Sequence, residues 1–434
     1  MKSRSDLWQQ PGLRWGTRVH AKPSTGRQRA LRRLQRDGWI VIDEDGDSWL
    51  LLNHDRTALP PVLTPRKTIL SLNLHDLSGS ISSDSGPEDL RDPLSARGYG
   101  EAKEGTRTLR GHLEDYINAM RDDYCEGPSD GDSLGAQLKP DLESLTDEWR
   151  TPDDRTLTIR LQEVPRDRLV EVRVDGRFET VPFHLAGLGS SSRGADPRRN
   201  LLPLTVWPAS IESGSRAVSR AAGIDGASRH VLVLLGWLNA EESEHKNTEA
   251  KDTLETTGDV LCQVLRAEGI TPHIARFATE DQMIQWWEDE GCPPIRGLYY
   301  FGHGGPCTVS LSDGEGKPRD HDMEKVMKWV TNRTGRLLDT AVFESCKGVG
   351  SGSVAPLMGY TKTLLLINGD AKQYGDDQLD QVGRFVASFM RKYARDEESF
   401  AAAVRHARRQ GSVDDDRWAR FFAFGRADQY WNEQ

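Results

Sequence analysis

Leu298-Tyr299-Tyr300-Phe301-Gly302-His303-Gly304-Gly305 runs an apolar segment straight into a histidine held between glycines. A second stretch has the same form. In Ala341-Val342-Phe343-Glu344-Ser345-Cys346-Lys347-Gly348-Val349-Gly350 an apolar segment delivers a cysteine into a glycine-bearing loop, 43 residues after the histidine. Short apolar runs bounded by glycine read as strands buried on both faces. Working outward, His230–Leu235, Pro272–Phe277, Ile295–Phe301, Leu338–Phe343, Thr363–Ile367 and Phe421–Phe424 read as strands. Between them Asp252–Ala267 (stopped at Gly269), Asp281–Glu290, Met323–Val330, Asp376–Tyr393 and Ser399–Arg408 read as helices. Alternation of this kind predicts an α/β fold with a mostly parallel sheet covered on both faces. In such sheets sites form beyond the carboxyl ends of the strands, where both quoted stretches end.

The chain has 434 residues, 36 % hydrophobic and 29 % charged. That suits a globular protein of two or three domains at roughly 150 residues each. The longest apolar runs, around Val231–Leu235 and Leu364–Ile367, fall far short of the ~20 residues of a spanning helix. Met1–Asp6 leads into no apolar core, so a secretory signal is not expected. Five scattered cysteines fit a reducing cytosol better than a disulfide framework.

A net charge of −10 argues against a chain built to coat nucleic acid. Residues 1–37 nevertheless carry ten Lys and Arg against two acids, while Asp84–Asp154 is acid-rich. A basic arm can contact nucleic acid or an acidic protein surface, but the weight falls on a solvated tail. Residues 24–37 read as a helix, followed by a hairpin of Trp39–Asp43 and Ser48–Leu52 around Glu44-Asp45-Gly46-Asp47. Residues 76–106 and Gly127–Ser133 are polar and read as loops flanking a helix at Leu109–Tyr124. Leu157–Leu161 and Leu169–Val174 alternate like strands. The expected division is a basic helix–hairpin region at 1–75, a polar linker with a helical segment at 76–154, and the α/β domain at 155–434.

A cysteine and a histidine on neighbouring strand ends make a nucleophile and its base. Imidazole favours the thiolate and then protonates the leaving amine. Backbone N–H groups of Gly304 and Cys346 can supply an oxyanion hole. Alone, each side chain has an ordinary structural reading, the cysteine as a small buried hydrophobe and the histidine as a hydrogen-bonder. Their placement in parallel settings carries the functional one.

The Tyr-Phe-Gly-His-Gly-Gly and Glu-Ser-Cys-Lys-Gly segments resemble the His and Cys motifs of the caspase-like peptidases, the clan of caspases, metacaspases, legumain, separase and gingipains. The prokaryotic CHAT group is the nearest in pattern. Val181–Leu188, Leu202–Ser210, Phe400–Arg408 and Trp418–Gly425 resemble further CHAT segments, so the likeness spans about 155–430. It implies a caspase-like α/β/α sandwich, with a smaller N-terminal α+β region lying outside it. It also implies a cytoplasmic cysteine endopeptidase with catalytic His303 and Cys346 and no cofactor. Its substrate would be a partner protein, alongside a sensor or regulator in antiviral defence or cell death. A residue two before the nucleophile lines the specificity pocket in legumain- and metacaspase-like members. Glu344 would then favour Arg or Lys at P1, with Asp370 on the same wall. Ion pairing of Glu344 with Lys347, and loop capping by Asp370, are the structural alternatives. Caspases have Gln-Ala-Cys here, and CHAT proteins usually have a small residue where this chain has Glu344.

The competing functional class is a silent caspase-fold scaffold that binds a regulator, or nucleic acid through its basic N-terminal segment. Cys292, His303, Cys307 and His321 match no zinc spacing, so no metal is expected. Cys125, Cys262 and Trp286-Trp287 read as packing residues. Asp376 and Asp377 read as helix-opening acids.

Overall fold

The computed structural model describes residues 14–15, 40–42, 49–51, 67–73, 78–83, 86–90, 118–120, 134–165, 168–174, 179–185, 201–208, 211, 229–236, 244–288, 293–305, 307–313, 317–334, 337–345, 354–367, 385–396, 398–410 and 420–431. The chain divides into two units, Met1–Arg66 and Lys67–Gln434.

In the first unit β1 (Arg14–Trp15), β2 (Ile40–Ile42) and β3 (Trp49–Leu51) form an antiparallel sheet of order β1-β3-β2. The β2–β3 pairing, Ile40 opposite Leu51 and Ile42 opposite Trp49, is the hairpin expected around Asp45-Gly46. The basic helix expected at 24–37 lies outside the described residues.

The second unit is built on one sheet of eleven strands. Its strands are β4 (Lys67–Asn73), β5 (Ser78–Ser83), β6 (Gly86–Leu90), β7 (Leu169–Val174), β8 (Leu204–Pro208), β9 (His230–Leu235), β10 (Thr271–Arg276), β11 (Gly297–Phe301), β14 (Thr340–Glu344), β15 (Thr363–Ile367) and β16 (Phe421–Gly425). A separate hairpin of β12 (Thr308–Ser312) and β13 (Pro318–Asp322) follows β11 in sequence. The order across the large sheet is β10-β9-β11-β14-β15-β16-β8-β7-β4-β5-β6. Its pairings are parallel except at β15–β16, β4–β5 and β5–β6. The fold is therefore mixed α/β with a large, mostly parallel sheet, as the alternation of elements predicts.

Strand residues alternate between two cores. Leu232, Leu298, Phe343 and Leu364 pack on one face, with side chains of α4 (Glu280–Glu288), α5 (Met323–Thr334) and α6 (Val354–Met358). Val233, Tyr299, Val342 and Leu365 pack on the other, with α3 (Glu244–Ala267), α7 (Phe400–Gln410) and the helical residues 385–395. Two-sided burial is why these strands read as unbroken apolar runs. Among the described residues, no helix is long and apolar enough to cross a membrane.

Three local readings differ from the structure. The polar stretch after residue 76 contains β5 and β6, which extend the large sheet. Ser78–Ser83 has a single large apolar residue, Ile81, and its composition reads as loop. Pairing on both edges overrides composition. Gly79 lies under the buried Trp149 ring, where a Cβ would come within 3.0 Å of Cε3. Leu157–Leu161 is not a strand but the start of α2 (Leu157–Glu163). Leu157 and Leu161 are both buried one helical turn apart, while Ile159 between them is 43 % exposed. The Thr156 side chain caps the helix by accepting from the Ile159 N–H. Finally, α1 (Leu134–Asp147) lies inside the expected linker. Of the helix expected at Leu109–Tyr124, only 118–120 is described, and it is helical.

At the amino ends of the central strands three charges meet. Arg296 and Lys362 approach Asp339 at 2.5 and 2.9 Å. Asp339 is 1 % exposed, so its charge is tolerable only because it is paired. The cluster joins the starts of β11, β14 and β15 at the end of the sheet opposite the two glycine-rich motifs.

Candidate active site

The pairing of β11 with β14 positions the site. They are parallel neighbours in the register Gly297 opposite Thr340 and Phe301 opposite Glu344. The ladder continues one step, with the Gly302 N–H donating to the Glu344 carbonyl at 3.2 Å. His303 stands two residues beyond Phe301, and Cys346 two residues beyond Glu344. Adjacent strands lie about 4.8 Å apart, so the strand ends that precede the two residues, Phe301 and Glu344, share one rim of the sheet. Cys346 itself, with Lys347, lies outside the described residues, as do Asp370, Asp376 and Asp377.

The histidine turn is tightly made. The Gly305 N–H donates to Thr308 Oγ1 at 2.8 Å, and the Thr308 N–H donates back to the Gly305 carbonyl at 3.1 Å. The Ser310 N–H reaches the His303 carbonyl at 2.9 Å, so β12 is tied to the turn. His303 is half-buried. Gly304 has no room for a side chain. An added Cβ would press into the Thr308 carbonyl and sit 2.9 Å from Ser345 Cβ. The turn therefore rests against the residue that precedes the cysteine. The Gly304 N–H makes no hydrogen bond among the described residues, which leaves it able to receive an oxyanion.

Glu344 is 2 % exposed and shares the Tyr299 face of the sheet. The Tyr299 hydroxyl donates to its Oε2 at 2.6 Å. A carboxylate among apolar side chains needs such a partner.

The remaining sequence candidates divide cleanly. Cys262 is buried in α3, and burial pushes its thiol up, so packing is its role there. Cys307 is half-buried with φ of 62° in the histidine turn. Cys125, Cys292 and the side chains of Trp286 and Trp287 lie outside the described residues. Among the described residues no three His, Cys, Asp or Glu side chains gather as metal ligands.

The β12–β13 hairpin and the residues it brings to the site escaped the sequence reading. Thr308-Val309-Ser310-Leu311-Ser312 does alternate, and Asp313-Gly314 follows as a turn signal. The return strand, Pro318-Arg319-Asp320-His321-Asp322, has little strand propensity. Its His321 is buried opposite Val309, edge-on to Trp329 at 5.9 Å and 3.7 Å from Glu280. Burial holds the imidazole below its ordinary value, with Glu280 opposing and Lys325 and Arg319 reinforcing. The unfolded chain thus binds the proton first as pH falls below about 6.5. Stability is full above that value and declines below it, by at most ~1.4 kcal/mol per pH unit for one group. Melting temperature is expected to fall between pH 7.5 and 5, and His321→Gln is expected to flatten the decline. A curve of unchanged steepness in the variant would assign the decline to His273 and His406, which burial lowers in the same direction.

No known family profile matches the chain, and no curated protein matches it in sequence.

Proposed function

We propose that the chain is a caspase-like cysteine endopeptidase with His303 as base and Cys346 as nucleophile. The observation that carries the reading is the parallel register of β11 and β14, in which Phe301 pairs with Glu344, each two residues before the histidine or the cysteine in sequence. The thiolate adds to the scissile carbonyl, and the Gly304 and Cys346 N–H groups receive the oxyanion. The His303 imidazolium gives its proton to the leaving amine as the C–N bond breaks. Water, deprotonated by the same imidazole, then cleaves the thioester and restores the thiol. This chemistry needs no cofactor.

Glu344 forms the acidic floor of the P1 pocket, with Asp370 on its wall, and selects Arg or Lys. The Tyr299 hydrogen bond supports this reading, because it anchors a carboxylate at a strand end where an apolar residue would pack at lower cost. The substrate is a partner protein, since unrestricted proteolysis in a reducing cytosol would be toxic. The motif resemblance suggests a bacterial defence or cell-death setting, with a sensor or regulator as second partner.

A peptidyl ketone electrophile with Arg at P1, followed by peptide mapping, tests the assignment. Labelling at Cys346 in preference to Cys262 and Cys307 is the expected result. No labelling at Cys346, together with no cleavage of Arg, Lys, Asn or Asp P1 peptides, sinks the enzyme reading in favour of a scaffold. Glu344→Gln is expected to lower kcat/KM on Arg peptides by about 10²-fold through loss of the opposing charge. Unchanged or higher activity on those peptides would reassign the pocket.

A further inference from the structure

We propose that Tyr300 is a positioning residue for the His303 imidazole, a role that rests on the peptidase reading above. Tyr300 is fully buried on the face opposite Tyr299, its ring 6.2 Å from Phe343. Its hydroxyl joins two backbone segments, the histidine turn and β12. It donates to the His303 carbonyl at 2.6 Å and accepts from the Ser310 N–H at 3.0 Å. The exit of β9 passes beside the hydroxyl at Gly236, whose own N–H donates to the Phe301 carbonyl at 2.9 Å.

Two glycines make space for the joint. A Cβ on Gly236 would fall within contact distance of the Tyr300 hydroxyl, and one on Gly302 would sit 2.8 Å from it. Gly302 also holds φ of 156°, which a side chain would disfavour. Phenylalanine would fill the apolar volume equally well, so packing alone does not account for the oxygen. What the oxygen adds is direction. It is a second donor, beside the Ser310 N–H, on the carbonyl of the residue that carries the imidazole, and it narrows the height of that Cα above the rim. Misplacement of a catalytic group by about 1 Å can cost 10²-fold in rate.

Tyr300→Phe in the full chain removes only that oxygen. Turnover is expected to fall about 10- to 100-fold with KM within about twofold, because position and not binding is lost. The imidazole resonances of His303 are expected to move in chemical shift. Tyr300→4-aminophenylalanine, which still donates, is expected to recover most of the turnover. Wild-type turnover and unmoved His303 resonances in Tyr300→Phe, with His303→Ala inactive, overturn the positioning role and leave the peptidase reading standing. Active His303→Ala overturns both. A fall in activity that tracks melting temperature, with His303 unmoved, marks Tyr300 as structural and overturns the proposal too. Should Tyr300→Phe fail to fold, Tyr300→4-methylphenylalanine, which fills the volume of the hydroxyl without donating, is read by the same measurements.

Discussion

Cys346→Ala is expected to abolish cleavage of Arg- and Lys-P1 peptides, lowering kcat by about 10⁴-fold or more, as removal of a nucleophile does elsewhere. His303→Ala is expected to match it closely. The double variant should be no slower than either single one, because nucleophile and base act as a unit. The check is kcat/KM on one peptide series for all three proteins, with melting temperatures to show that each is folded. Retention of more than about a tenth of wild-type activity in Cys346→Ala would move the nucleophile elsewhere. Neither change should disturb the fold, since the strands that launch these residues are held by their own ladders and cores.

Asp339→Ala is expected to produce the largest loss of stability, about 3–5 kcal/mol, because it leaves two cations facing a buried site with no counter-charge. Arg296 and Lys362 both converge on this carboxylate. The start of β14 loses its ties to the starts of β11 and β15. The cluster lies at the far end of the strands from the two glycine-rich motifs. Specific activity per folded molecule should therefore stay near wild type at low temperature, while the urea midpoint drops. A loss below about 1 kcal/mol, as an exposed pair would give, would show that water reaches the cluster.

The central strands could be read from the chain because each is an uninterrupted apolar run ending at a chemical punctuation mark. His230–Leu235 and Thr363–Ile367 match the structure residue for residue. Neighbouring pairs could not be read. That β11 lies between β9 and β14 is a long-range fact, and it is the fact on which the candidate site depends. The strands of residues 67–90 were hidden for another reason. β5 is mostly serine, and its place is set by partners and by Trp149 above Gly79. The Leu157–Leu161 segment shows how a leucine spacing of four satisfies both a strand and a helix pattern, with the Thr156 cap deciding between them. Tyr300 was visible only as one more aromatic in a strand, because its importance lies in its hydroxyl meeting a carbonyl three residues on.

The bonding of β4 to β7, Lys67 opposite Leu169 through Leu72 opposite Val174, bears on what a cut in the chain can do. Arg91, Arg97 and Arg107 stand between β6 and α1 in sequence. Scission after any of them would part the polymer without freeing its leading piece, which remains zipped to the body by an edge of backbone amides. Denaturing gels would show two fragments, gel filtration one particle. Self-processing at that place would work as a latch being slipped, not as a cap being shed.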